Sequence, residues 1–294
     1  MTVAQKITEA LGGKWFSTYG LVRCPAHDDR HPSLRIREGD SGLLVRCYAG
    51  CDPLDILAEL RRRGLLDDHR RQTDRPRDLT RERAADQRDR AKRSAAAVEI
   101  WQASRPIAGT PAETYLRRRG IEIELPLSLR FHAALKHGPT GILLPAMVAA
   151  VQAPDRRIIG VHRTYIKEDG ADKAPLSDAR LSLGSISGGA VRLAKAGDEI
   201  AIAEGIETAL AYQQATGRPS WAALSTSGMR SIILPPLPAA ATVYLAADID
   251  PNGAGEAAAE AAARRLCGEG RKVKIATPIR GSDFNDAIRE RGAA

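Results

Sequence analysis

Two groups of residues in this chain of 294 could do chemistry. The first is Cys24-Pro-Ala-His27 followed, nineteen residues later, by Cys47-Tyr-Ala-Gly-Cys51. Two short donor pairs split by a hairpin-sized insert can surround one Zn²⁺, because each pair turns two donors onto the ion while the insert folds back between them. Four ligands leave no open coordination position, so Cys24, His27, Cys47 and Cys51 are expected to hold a structural metal rather than a catalytic one. His31 is a competing donor, set further from Cys24 than the usual spacing. Gly50 precedes the last ligand, where a knuckle commonly needs positive φ. The fourth cysteine, Cys267, stands alone in an Ala-rich stretch and is expected to be a small core residue.

The second group is acidic. The apolar run Glu199–Ala203 ends abruptly in Glu204-Gly205, and Thr242–Ala247 ends in Asp248-Ile-Asp250-Pro-Asn-Gly253. A third run, Val273–Ala276, leads to Asp283-Phe-Asn-Asp286. Asp248 and Asp250, two apart on an extended chain, point to the same side, and Glu204 would face them from another strand. Gathered carboxylates repel one another. Mg²⁺ or Mn²⁺ relieves the repulsion while keeping waters for substrate phosphates, with Asp283 and Asp286 able to complete the cluster.

The elements that must position these groups follow from the pattern. Each acidic turn sits between a short apolar strand and a helix: Glu207–Gln214 up to Gly217 after the first, Gly255–Cys267 after the second. Strands alternating with helices imply a parallel sheet with helices on both faces, which binds ligands beyond the carboxyl ends of its strands. Ahead of it, Ser128–His132, Ile142–Val151, Ile158–Ile166 and Ala190–Leu193 read as a small mixed sheet, preceded by a helix Ala112–Arg119 that Gly120 ends. In the N-terminal part, Ser33–Ile36 and Leu43–Arg46 flank a Glu38–Gly42 turn as a hairpin between the two donor pairs, and Pro53 opens a helix through Leu60.

The fold class is therefore α/β: a zinc ribbon, a small mixed α+β subdomain and a parallel sheet. The boundaries read 1–60 for the ribbon, 61–95 for a charged linker, 96–198 for the middle subdomain and 199–294 for the acidic domain. The net charge of +8 is uneven, since Arg61–Arg93 holds 13 basic residues against 7 acidic ones. Such a stretch attracts polyanions, nucleic acid above all, or forms a solvated helix or linker. Prolines interrupt the longest apolar run, Ile232–Ala247, and Lys6, Glu9 and Lys14 break up any signal-peptide core, so neither a membrane span nor a signal peptide is expected and the location expected is the cytoplasm.

The Glu204-Gly205 turn, the Asp248-x-Asp250-x-x-Gly253 turn and the Asp283-Phe-Asn-Asp286 segment resemble the motifs of Toprim domains, shared by primases, topoisomerases and some nucleases. The Cys24/His27/Cys47/Cys51 ribbon is similar to the zinc-binding domain of bacterial and phage-type DNA primases. Thr110–Gly120 and His162-Arg-Thr-Tyr165 look like segments placed ahead of Toprim in the primases of phages, plasmids and integrated elements.

That resemblance implies RNA-primer synthesis on a single-stranded DNA template from nucleoside triphosphates. It makes Glu204, Asp248 and Asp250 catalytic, the Asp residues holding Mg²⁺ and Glu204 holding metal or acting as acid and base. Arg163, Lys173 and Arg192 are the basic candidates for triphosphate or DNA backbone contacts. Three residues separate the last ligand pair where many ribbons have two. No Gly-x-x-x-x-Gly-Lys-Ser/Thr loop occurs, so a helicase is expected to act as a separate chain. The alternatives are a Toprim nuclease using the same carboxylates and a non-catalytic zinc-ribbon DNA-binding accessory factor.

Overall fold

The computed structural model describes residues 1–16, 18–29, 32–39, 42–49, 51–66, 79–249, 253–278 and 281–292. His31, Gly50, Asp250 and part of the expected 61–95 linker lie outside the described residues. The chain forms two compact units, Met1–Arg83 and Ala84–Ala294.

The first unit contains α1 (Val3–Ala10), β1 (Lys14–Phe16), β2 (Tyr19–Val22), β3 (Leu34–Gly39), β4 (Gly42–Cys47) and α2 (Pro53–Arg62). Its four strands form an antiparallel sheet in sequential order. The expected hairpin is β3–β4, paired from Leu34↔Cys47 to Gly39↔Gly42. Thr2 and Gln5 close a capping box at the start of α1, and Asp52 accepts the Leu54 N–H at the start of α2 with Pro53 as the first helical residue. Alternation along β2 and β3 turns Val22, Leu34 and Ile36 inward onto Ala4 and Ile7 of α1 and Ile56 and Leu60 of α2. A Cβ on Gly20 would fall 1.8 Å from the Thr8 hydroxyl, so α1 rests directly on β2.

The second unit is entered along α3 (Leu79–Ala103), followed by β5 (Arg105–Pro106), α4 (Pro111–Arg118), β6 (Leu129–Lys136), β7 (Leu143–Gln152), β8 (Ile158–Tyr165), β9 (Arg180–Gly184) and β10 (Ala190–Arg192). Then come β11 (Glu199–Ala203), α5 (Ile206–Thr216), β12 (Ser220–Ala222), α6 (Thr226–Ser231), β13 (Thr242–Ala246), α7 (Ala254–Gly268), β14 (Lys272–Ala276) and α8 (Phe284–Gly292). All ten strands join one sheet, ordered β14-β13-β11-β12-β10-β7-β6-β5, with β8 and β9 added beside β7. The first four of that order are parallel, and β10 turns the sheet antiparallel by pairing with both β12 and β7.

Period-two alternation explains the two faces of the parallel part. Ala201, Ala203, Tyr244 and Ala246 pack toward α5 on one side, while Ile200, Ile202, Val243 and Leu245 pack toward α6 and α7 on the other. Cys267 corrects the expectation of a core thiol: it is exposed. The buried stripe of α7 is Ala258, Ala259, Ala262 and Leu266, and the residue after Leu266 is turned about 100° away from it. Among the described residues no helix is long and apolar enough to cross a membrane.

The loop between β8 and β9 lies on the start of α4. Gly170 holds φ +68°, and a Cβ there would stand 2.2 Å from the Pro111 carbonyl oxygen. Gly170→Ala must either move the loop or strain it, so it is expected to lower stability by about 1–3 kcal/mol, read as a lower melting temperature in thermal unfolding.

Candidate functional site

In the first unit, Cys24, His27, Cys47 and Cys51 present ligand atoms that all lie within 4.8 Å of one another. His27 turns Nδ1 toward the thiols, 3.1 Å from Cys51 Sγ and 3.9 Å from Cys47 Sγ. Three soft sulfurs and one imidazole, closed on themselves, are the donor set of a structural zinc site. Asp29, which the sequence reading did not single out, holds the first knuckle in shape. One carboxylate oxygen accepts the Cys24 N–H at 2.6 Å, the Ser33 N–H at 3.2 Å and the Ser33 hydroxyl at 2.6 Å. The other stands 3.7 Å from His27 Nε2, the side of the ring away from the thiols. Burial pushes the Cys24 thiol up to about 12, against a backbone hydrogen bond from Ala26. Burial raises Cys47 as well, but hydrogen bonds from the Cys51 backbone, the Ser33 hydroxyl and the Ala49 backbone outweigh it and hold this thiol below its ordinary value.

The sheet of this unit has a second feature that composition alone did not localise. On the face opposite its core, Phe16 and Tyr19 stack at 5.3 Å, Lys14 lies over Phe16, and the Arg35 guanidinium lies 4.3 Å above the Tyr19 ring. Arg46 faces the Tyr48 ring and is the cross-strand partner of Arg35.

In the second unit the strand ends assemble a common rim. β11 and β13 are parallel neighbours in register from Glu199↔Thr242 to Ala203↔Ala246. Glu204 thus leaves β11 beside the point where Asp248 leaves β13, on strands about 4.8 Å apart. The rim is pinned by its backbone. Leu224, beyond β12, donates its N–H to the Glu204 carbonyl at 2.8 Å, and Ile249 donates to the Ser282 carbonyl at 2.8 Å. Leu224 carries φ +71°, unusual for a branched residue, and its strand was too short to read from periodicity. Among the described residues, the group of Cys, His, Asp and Glu side chains arranged to hold a metal ion is the Cys24, His27, Cys47 and Cys51 tetrad, and Glu204, Asp248, Asp283 and Asp286 form no such group of three. Asp283 accepts the Asp286 N–H at the start of α8, and Asp286 accepts the Ser282 hydroxyl at 2.6 Å.

The basic candidates divide. Arg163 is buried and donates to the Leu181 and Ser182 carbonyls and to the Tyr165 hydroxyl. Arg192 donates to the Ala153 and Pro154 carbonyls and lies 4.4 Å over the Trp221 ring. Both guanidinium groups are turned onto the protein. Lys173 instead lies in the electrostatic surroundings of a buried carboxylate, Glu207, which also feels Arg180. Glu207 follows Glu204 by one helical turn and accepts the Tyr115 hydroxyl at 2.6 Å. Sequence reading placed Glu207 on the helix and gave it no role, because an acidic residue in a first turn is ordinarily a surface one.

Beside this cluster, burial pushes His162 down to about 4, with Glu207 opposing and Arg180 and Arg163 adding to the depression. An unfolded-chain histidine titrates near pH 6.5. Between about pH 6.5 and 4 the unfolded state therefore binds a proton that the folded state refuses, so stability falls as pH is lowered through that window. The ring resonances of His162 are expected to show no titration from about pH 8 to 5 by NMR.

Residues 199–294 match the family model of the Toprim domain, and residues 91–193 match a domain of unknown function (DUF7146). No curated protein matches the chain. Among solved structures it is similar to the zinc-binding and RNA polymerase domains of the Aquifex aeolicus primase, at 16% identity over 99% of this chain and 80% of that one, with a TM-score of 0.42. It is also similar to the primase fragment of the bacteriophage T7 primase-helicase protein, at 17% identity over 64% and 70% of the two chains and TM-score 0.38. A third similarity is to a DNA primase domain from Pseudomonas aeruginosa, at 18% identity over 63% and 68% and TM-score 0.41. The segment from β11 through α8, which carries Glu204 and Asp248 on adjacent strand ends, is a Toprim domain.

Proposed function

We propose that the chain is a DNA primase that makes short RNA primers on single-stranded DNA, for replication of a phage, plasmid or integrated element. One observation carries the reading: a single chain combines a four-donor Cys/His cluster with a Toprim domain whose neighbouring parallel strands end in Glu204 and Asp248. In this reading Zn²⁺ on Cys24, His27, Cys47 and Cys51 is structural. Its small sheet offers stacking rings and cations, which suit the bases and phosphates of a single strand.

Glu204, Asp248 and Asp250 are the residues we assign to Mg²⁺ or Mn²⁺. Hard carboxylate oxygens at a strand-end rim fit such an ion, which supplies charge neutralisation for nucleotide phosphates. Glu204 also takes or returns a proton during nucleotidyl transfer. Asp283 and Asp286 border this set and hold the rim through the start of α8. Lys173 and its neighbour Arg180 contact the triphosphate, whereas Arg163 and Arg192 brace the sheet. A separate replicative helicase is the expected partner, in the cytoplasm.

Incubation with single-stranded DNA, ribonucleoside triphosphates and Mg²⁺ or Mn²⁺ is expected to yield short RNA. Asp248→Ala should lower the yield by at least about 100-fold, the scale of losing a charge-stabilising group. No product from the wild type, or equal product from both, rejects the assignment, and shortening of the DNA without nucleotide incorporation points to a nuclease. For the metal centre, Asp29→Ala is expected to weaken zinc binding about 10–100-fold, measured by competition with a colorimetric chelator. Unchanged zinc affinity would show that Asp29 does not support the knuckle.

A further inference from the structure

A cavity of about 320 Å³ opens where the end of α4 meets α5 and α8, a volume within the range of small-ligand sites. It lies away from the strand-end rim. Gln214, one of its lining residues, stands about two turns along α5 from Ile206, or about 12 Å of helix rise from the end of the helix that follows Glu204. None of the residues lining this cavity has a role in the site described above.

Hydrogen bonds between the two matched segments fix its walls. Gln214 donates to the Gly120 carbonyl at 2.7 Å and accepts the Glu122 N–H at 2.6 Å, and Asn285 of α8 donates to the Arg119 carbonyl at 2.7 Å. Gly120 holds φ +77°, and a Cβ there would stand 3.6 Å from Ile288 Cδ1 and 3.7 Å from Arg289 Cγ. The stem of Arg289 therefore lies against the glycine just beyond α4, two residues from Arg118.

Three arginines line the cavity, and they are not equivalent. Arg117 is engaged by the protein: it donates to the Ile121 and Ile123 carbonyls at 2.8 and 2.9 Å and pairs with Glu113 at 3.0 Å. Arg118 and Arg289 are exposed, and among the described residues neither guanidinium makes an ion pair or a hydrogen bond. An arginine in the last turn of a helix ordinarily complements the carbonyls left free there. At α4 most of that role is taken. The Leu116 and Arg117 carbonyls accept the Ile121 and Gly120 N–H groups, and the Arg119 and Gly120 carbonyls accept from Asn285 and Gln214. One carboxylate, Glu122, also lines the cavity and pairs with neither arginine.

Two guanidinium groups brought from different helices to one cleft select the shape of their ligand. Each presents a planar fork of donors that matches a carboxylate or a phosphate. A carboxylate has two oxygens in one plane and is filled by one fork, whereas a tetrahedral phosphate offers oxygens in several directions and can accept from two forks at once. We propose that this cleft is a phosphate site separate from the strand-end rim, in which Arg118 of α4 and Arg289 of α8 hold one phosphate group between them and Glu122 weakens the hold. The phosphate belongs either to a free nucleotide or to a nucleic-acid backbone, which share this chemistry.

The test uses the full chain and inorganic pyrophosphate without added divalent metal, read by NMR at the arginine Nε–Hε resonances, which Arg118→Lys and Arg289→Lys assign. Pyrophosphate is expected to move the Arg118 and Arg289 resonances with one common midpoint. Arg118→Ala should raise the midpoint read at Arg289 about tenfold, and Arg289→Ala that read at Arg118 equally, the scale of one charge-assisted contact. Glu122→Gln should lower both midpoints about threefold, the scale of one exposed charge. That gain in affinity is a response that loss of structure cannot produce. All three side chains are exposed, and unchanged thermal melting of each variant shows that the fold is kept.

Titration with ATP and with an oligothymidylate strand then separates the two sources. Tighter binding of ATP at these resonances assigns the cleft to a free nucleotide. Tighter binding of the strand, with a shallower salt dependence when both arginines are replaced by alanine, assigns it to a backbone. Resonances that stay unmoved at millimolar pyrophosphate, or that move with unequal midpoints, overturn the proposal. So does an unchanged Arg289 midpoint in Arg118→Ala, or tighter binding of a hexaglutamate peptide than of pyrophosphate, which would mark a site for acidic protein. Primer synthesis has no part in the readout, so the primase reading stands or falls separately.

Discussion

The organisation of the second unit depends on one pairing, β11 against β13 in parallel register. Parallel strands share a carboxyl end, so whatever follows each strand is delivered to the same edge. Glu204 and Asp248 lie far apart in sequence and become neighbours only through this pairing. An antiparallel arrangement of the same two strands would send them to opposite edges. The alternation that buries Ala201 and Ala203 toward α5 and Ile200 and Ile202 toward α6 and α7 prevents a one-residue slip, because a slip would exchange the faces.

The sheet also joins segments that look separate in sequence. The short strand β10 is antiparallel to both β12 and β7, so the parallel strands of the Toprim domain continue into the mixed strands ahead of it. The side-chain counterpart of this continuity is the Tyr115 to Glu207 hydrogen bond, reinforced by Gln214 and Asn285 at the end of α4. A buried charge is tolerated only when it is paired and hydrogen-bonded, so the cations around Glu207 are part of the condition for burying it.

The first unit meets a different constraint. Its core is a thin layer between two short helices and four short strands, and a unit of this size gains much from a metal staple. The thiols of Cys24 and Cys47 count among its buried residues, so the cluster is continuous with the core rather than appended to it. Asp29 closes the knuckle by accepting three hydrogen bonds, which sets the first donor pair before any ion is considered.

Much of this was legible in the amino-acid order, for a physical reason. Strand β11, the β3–β4 hairpin, α5 with its left-handed Gly217 and the donor tetrad are short-range patterns of alternation, caps and spacing, and their signals lie within a few residues. The three-residue strand β12 carried too little periodicity to be distinguished from loop, whereas the equally short β10 was read as Ala190–Leu193. The basic residues show the other limit. Arg163, Arg192 and Lys173 look alike as letters, yet packing turned the first two onto carbonyl oxygens and a ring and set the third beside a buried carboxylate. Cys267 was likewise placed by the helical angle of α7 and not by its alanine neighbours. The sequence by itself determined which segments become strands and helices and which residues could bind a metal. Only the tertiary structure decided which charges meet, because the direction of a side chain depends on neighbours distant in the chain, which its own local pattern does not encode.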